Sequence, residues 1–149
     1  MKVLFIGDIF GEPGRRALAR AVPRLVAQRQ IDIVIGNGEN AAGGFGITPE
    51  LAEELFDLGL SVITTGNHAW DKKEILDYFP REPRLLRPAN YPSGVPGNGS
   101  VVVESAGGEQ LGVLQLMGRA YMPTLDCPFQ VAKKELAALK KRTAAVIVD

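Results

Sequence analysis

Five side chains able to bind a cation or move a proton fall at three places in the chain. Asp8 lies in "GDIFG", Glu39 and Asn40 in "GNGEN", and Asn67 and His68 in "GNHAW". Two carboxylates that face one crevice repel each other, so either one holds a proton or a cation sits between them. Asp, Glu, Asn and His offer oxygen and nitrogen donors, a set suited to manganese, iron or zinc. Two divalent ions would over-compensate the two acids and draw in a phosphate. A metal pair bridged by a carboxylate can clamp the attacking and leaving oxygens of a phosphoryl displacement and activate a water near neutral pH. Each residue also has a plainer reading. Asp8 can form a turn or cap a helix, Glu39 and Asn40 can be a solvated loop pair, and Asn67 can take a left-handed turn conformation. His68, the single histidine of the chain, can be structural. Their joint placement favours a site.

That placement depends on the elements between them. "KVLFIG" (2–7) is an apolar run ending at glycine and reads as a strand buried on both faces. Residues 12–30 carry Leu18, Val22, Leu25 and Val26 at helical spacing, with Pro13 in the first turn and Pro23 expected to kink or split the helix. "IDIVIG" (31–36) is a second strand, and 48–59 a second helix with Thr48 as cap, Pro49 in the first turn and Gly59 as the stop. "LSVITTG" (60–66) is a third strand, and "DKKEILDYF" (71–79) reads as a helix opened by Asp71 with Glu74 three residues on. Alternation of this kind argues for a parallel sheet with covering helices. In such a sheet the strand C-termini share one edge, where ligands bind, so Asp8, Glu39, Asn40, Asn67 and His68 are expected to converge there.

The second half is different. Residues 84–99, rich in Pro and Gly, read as loop or edge; 100–116 as a hairpin with a Gly-Gly turn; 117–129 as irregular; 130–142 as a helix with a basic last turn; and 144–149 as a buried strand. No repeat or linker divides the chain, so residues 1–149 are expected to form part of one domain. Because the last strand stops at Asp149, the chain is expected to be the first part of a longer polypeptide.

Composition narrows the function classes. The chain has 149 residues, 46% of them apolar and 23% charged, with 17 Lys plus Arg against 17 Asp plus Glu. That balance gives no basic footprint for nucleic acid or an anionic membrane. Cys127 is the only cysteine, which excludes an internal disulfide and points to a reducing cytoplasm. The apolar run at the N-terminus is too short for a signal peptide or a membrane span.

Five segments taken together, "GDIFGEPGR", "GENAAGGFGIT", "TTGNHAWDKKEI", "LLRPANYPSGVPGNG" and "GRAYMPTLDCPF", resemble the YmdB-like phosphodiesterases of the calcineurin-like metallophosphoesterase superfamily. The resemblance implies an α/β fold, the α-β-β-α sandwich, of which this chain would be the N-terminal part. It implies two divalent metal ions, iron or manganese with zinc as a further option, and hydrolysis of small phosphoesters with cyclic nucleotides favoured. Asp8 would bind the first metal, Glu39 would bridge both where most of the superfamily uses Asp, and Asn67 would bind the second. His68 would be catalytic, giving a proton to the leaving oxygen or holding the phosphate, a role that suits an imidazole. Phe10 stands where most of the superfamily has a histidine, and Asn40 would supply the missing donor. Three further histidines of the family have no counterpart in this chain.

Other readings compete. Flavodoxin-like esterases carry Gly-Asp-Ser after the first strand; here Ile9 fills the serine position and cannot attack an acyl group. A non-catalytic nucleotide-binding module would hold phosphate at the helix after "GDIFGEPG", although neither the dinucleotide nor the P-loop spacing is present. A partner-binding role, as an oligomer or regulator, would use Phe45, Trp70 and Tyr91, the apolar loop tips that could equally line a substrate cleft.

Overall fold

A computed structural model describes residues 1–149. Four strands, β1 (Val3–Ile6), β2 (Ile33–Asn37), β3 (Val62–Thr64) and β4 (Leu85–Leu86), form a parallel sheet in that order. A second sheet holds β5 (Ser100–Glu104), β6 (Gln110–Leu114) and β7 (Ala145–Val148). In it β5 pairs antiparallel to β6 through a tight turn, and β7 runs parallel to β6. The parallel pairs need crossovers. α1 (Gly11–Arg29) and α2 (Pro49–Asp57) supply two in the first sheet, and α3 (Pro128–Leu139) supplies the one from β6 to β7.

Side-chain alternation along the strands builds the layers. On one face of the first sheet, Ile33, Ile35, Val62 and Leu86 pack against Leu111 and Val113 of the second. On the other face, Val34, Ile63 and Leu85 join Leu18 and Val22 of α1 and Ala52 and Leu55 of α2. α3 lies against the second sheet, where Leu139 is buried near Gly112. The result is helix, sheet, sheet, helix, the α-β-β-α arrangement expected. No helix is long and apolar enough to cross a membrane.

Thr48 caps α2 through its Oγ1, which accepts from Leu51 N at 3.3 Å, and Pro49 fills the first turn. Pro23 does not split α1, which runs unbroken from Gly11 to Arg29. Pro23 and Ala19, whose carbonyl it leaves without a helical donor, are both exposed, so the freed carbonyl is not buried without a partner. The helix expected over 71–79 is not formed; a single 3₁₀ turn, Lys73–Ile75, takes its place. Ile75 N bonds Lys72 O and Leu76 N bonds Lys73 O, each at 3.2 Å. The Asp71 carboxylate, expected to cap that helix, is engaged by His68 instead.

Candidate active site

Parallel pairing of β1 with β2 and of β2 with β3 sets their C-terminal ends side by side. The loops that follow leave from one edge. Ile9 N donates to Asn37 O at 2.8 Å and Gly11 N to Asn40 O at 2.9 Å, tying the first loop to the second. Asp8 sits in that first loop at φ +40°, exposed, a left-handed conformation that aspartate adopts more readily than most residues. Asn40 Nδ2 donates to Asp8 Oδ1 at 2.7 Å. One N–H of the amide is thereby used, and Asn40 Oδ1 is left to accept a hydrogen bond or to bind a cation.

Glu39 is the most constrained member. Its backbone N–H donates to Asn37 Oδ1 at 3.2 Å. Its carboxylate rests on the backbone of Gly66: a Cβ at that position would lie 2.7 Å from Glu39 Cδ, 2.8 Å from Oε1 and closer still to Oε2. Only glycine leaves that space open. The residue as a whole is half-buried, but Oε2 is shielded from water and has no hydrogen-bond partner. Burial pushes the Glu39 carboxyl above its ordinary range. The backbone amide and the charge of His68 oppose that shift, while the carboxylates of Asp8 and Asp149 add to it.

His68 Nδ1 lies 2.6 Å from Asp71 Oδ2, within hydrogen-bond distance. The Phe45 ring meets its ring edge-on, centroids 5.1 Å apart at 85°. Asn67, next to it, is exposed. The structure thus brings Asp8 onto Asn40 and sets Glu39 against the loop that carries Asn67 and His68. It does not gather three His, Cys, Asp or Glu side chains as a complete cation site within this chain. Of the three aromatic residues expected at loop tips, only Phe45 stands out, 59% exposed. Trp70 and Tyr91 pack edge-on against each other at 4.6 Å.

Two acidic residues near the site were not anticipated. Asp149 Oδ2 accepts from Asn37 Nδ2 at 3.1 Å and from Thr64 Oγ1 at 2.5 Å, joining the end of β7 to the ends of β2 and β3. The same strand-end rule that singles out Asp8 after "KVLFIG" would have found it after "AAVIV". Asp71 was read as a helix cap, although its spacing of three from His68 in a turn also suits a side-chain pair. Deeper in the sandwich, Gln115 Nε2 donates to Thr65 O, and Thr65 Oγ1 donates to Leu86 O at 2.8 Å.

Known proteins resemble this chain along its whole length. A Bacillus subtilis (strain 168) protein named 2',3'-cyclic-nucleotide 2'-phosphodiesterase is 45% identical over 149 residues, which are 100% of this chain and 56% of that protein. A crystal structure described as a novel phosphatase from Mycoplasma pneumoniae matches with a TM-score of 0.88 at 31% identity, covering 100% of this chain and 54% of the other. A hypothetical protein from Thermus thermophilus matches with a TM-score of 0.85 at 41% identity, covering 99% and 56%. The chain spans about half the length of these relatives. Residues 4–149 match the family described as YmdB-like protein, and the chain belongs to that family.

Proposed function

We propose that this chain carries part of the active site of a metal-dependent phosphodiesterase. It would act on small phosphoesters, cyclic nucleotides foremost, by a metal-activated water at a two-metal centre. The observation that carries the reading is the Glu39 carboxylate, with one oxygen shielded and unpartnered and the Asp8 charge near enough to be felt. A shielded carboxylate oxygen without a partner is unfavourable, and a cation relieves it. The carboxylates of Asp8 and Glu39 and the amide oxygens of Asn40 and Asn67 fit manganese or iron in kind, with zinc a further option. In number they fall short of two metals. The remaining histidines implied by the resemblance would come from the part of the relatives that this chain does not span.

Bound cations would lower the pKa of a water and draw charge from the phosphate. The chain's own residues would do the rest. Asp8, Glu39, Asn40 and Asn67 would hold the cations, with Gly66 leaving room for Glu39. His68 would donate a proton to the leaving oxygen or hold the phosphate. The names of the relatives support phosphoester hydrolysis, and that of the Bacillus subtilis protein supports 2',3'-cyclic nucleotides as the substrate class. A cytoplasmic setting suits the unpaired Cys127, and a homo-oligomer is compatible with this reading.

A second reading, a non-catalytic nucleotide-binding or regulatory module, is favoured by the lack of a three-donor cluster in this chain. Hydrolysis of a 2',3'-cyclic nucleotide, followed with manganese, with chelator and in Asp8→Asn, separates the two. Turnover lost on chelation and in the variant supports the phosphodiesterase. Undiminished turnover in metal-free protein refutes it. Nucleotide binding without turnover, surviving both treatments, establishes the module.

A further inference from the structure

The turn that carries His68 holds a second feature, which the metal site does not use. Asp71 Oδ2 lies 2.6 Å from His68 Nδ1, and this is the imidazole's one hydrogen bond to the protein. A carboxylate can only accept, so the proton of that bond belongs to Nδ1. The surroundings fix the pair. Asp71 N closes the turn onto His68 O at 3.3 Å. The glycine-rich loop lies directly on that turn: at Gly46, whose φ of +78° already disfavours a side chain, a Cβ would sit tightly at 3.1 Å from Lys72 Cγ, 3.2 Å from Asp71 Cβ and 3.3 Å from His68 O. The same loop presents Phe45 edge-on to the imidazole. Nδ1 is therefore engaged, and Nε2 is the nitrogen without a hydrogen-bond partner in the protein.

We infer that Asp71 is the positioning residue of His68: it keeps one proton on Nδ1, so that Nε2 is the nitrogen that, once protonated from solvent, gives its proton to the leaving oxygen and returns to the bare form. The hydrogen bond at one ring nitrogen decides which form the other takes. Asp71 would touch neither substrate nor metal and would act through His68 alone. The part of the inference that concerns turnover rests on the phosphodiesterase reading; the part that concerns the tautomer does not.

His68 is the only histidine of the chain, so a long-range ¹H–¹⁵N correlation spectrum contains one pair of imidazole nitrogens. In the neutral ring of the wild type, Nδ1 is expected to carry the proton and Nε2 to be bare, and in Asp71→Ala the pattern reverses toward Nε2–H. A wild-type ring protonated at Nε2 overturns the inference, and that spectrum decides it even should the variant not fold. In the metal-loaded, active enzyme, Asp71→Ala is expected to lower kcat about 10–100-fold with KM little changed. Adding Asp71→Ala to His68→Ala is expected to lower it no further. Losses that add overturn the inference, because they place Asp71 in the support of the loop instead. A wild-type enzyme that hydrolyses no phosphodiester removes the functional reading and leaves the tautomer result standing on its own.

Discussion

Replacing Gly66 with Ala tests the role of Glu39 without touching it. Gly66 lies outside the left-handed region of backbone conformation, so the substitution adds no backbone strain. The new methyl would fall 2.7 Å from Glu39 Cδ and 2.8 Å from Oε1. Such contacts relax near about 3.5 Å, so the carboxylate must retreat by roughly 0.7 Å or more. Metal–ligand distances hold to within about 0.2 Å. A displacement several times larger would remove Glu39 from a cation's shell. The end of the side chain is flexible, so the metal-free protein should lose only about 1 kcal/mol. Manganese at about a hundred times its Kd should stabilise the wild type by about 2.7 kcal/mol. For a chain of this size that corresponds to about 5–11 °C in Tm. Thermal unfolding with chelator and with manganese, beside a calorimetric titration, reads both effects. Gly66→Ala should melt within a few degrees of the wild type under chelator and lose most of the manganese increment. A variant that keeps the full increment would refute the assignment of Glu39 to the metal. A large loss of stability under chelator would show the carboxylate to be held rigidly by the fold.

His68→Ala in the active enzyme is expected to keep its metal and lose turnover by roughly 10²–10⁴; a fall in metal content would make His68 a ligand instead. Away from the site, Arg84 donates from Nε and one terminal nitrogen to the two oxygens of Glu82, at 2.8 and 2.6 Å. Those side-chain bonds hold the Glu82 carboxyl below its ordinary range, with partial burial opposing them. A carboxyl depressed in the folded state contributes stability above its unfolded pKa, and that stability is lost as pH falls through the folded value. Glu82→Gln should therefore cost about 1 kcal/mol near pH 7, with the difference closing as the pH falls below the ordinary carboxylate range, as read by urea unfolding at neutral and at acid pH.

The first half of the fold was legible because its strands announce themselves twice, as apolar runs and as runs that stop at a glycine followed by a polar residue. Asp8, Glu39 and His68 could be assigned to one edge on that ground alone. The 71–79 segment misled because Asp71 and Glu74 look like a capping pair, while only the fold reveals that His68 competes for the Asp71 carboxylate. β4 is two residues long, Leu85–Leu86, and shows no periodicity; the neighbouring β3 makes it a strand. Asn90 lay hidden in a Pro- and Gly-rich stretch for the same kind of reason. Fully buried, it donates to Met117 O and Asp126 O and accepts from Met117 N, and these partners lie 27 and 36 residues away.

The two hydrogen bonds that Asp149 accepts from Asn37 and Thr64 pin the sandwich at one end, beside the candidate site. At the opposite end the tie between the sheets is the Met1 ammonium on Glu109, a pair at 2.9 Å whose carboxylate is exposed. Salt and water weaken the second tie far more than the first. When the two sheets breathe, the layers should splay like a book opened away from its spine. The edge that carries Asp8, Glu39 and His68 lies along that spine, the last place to feel the motion.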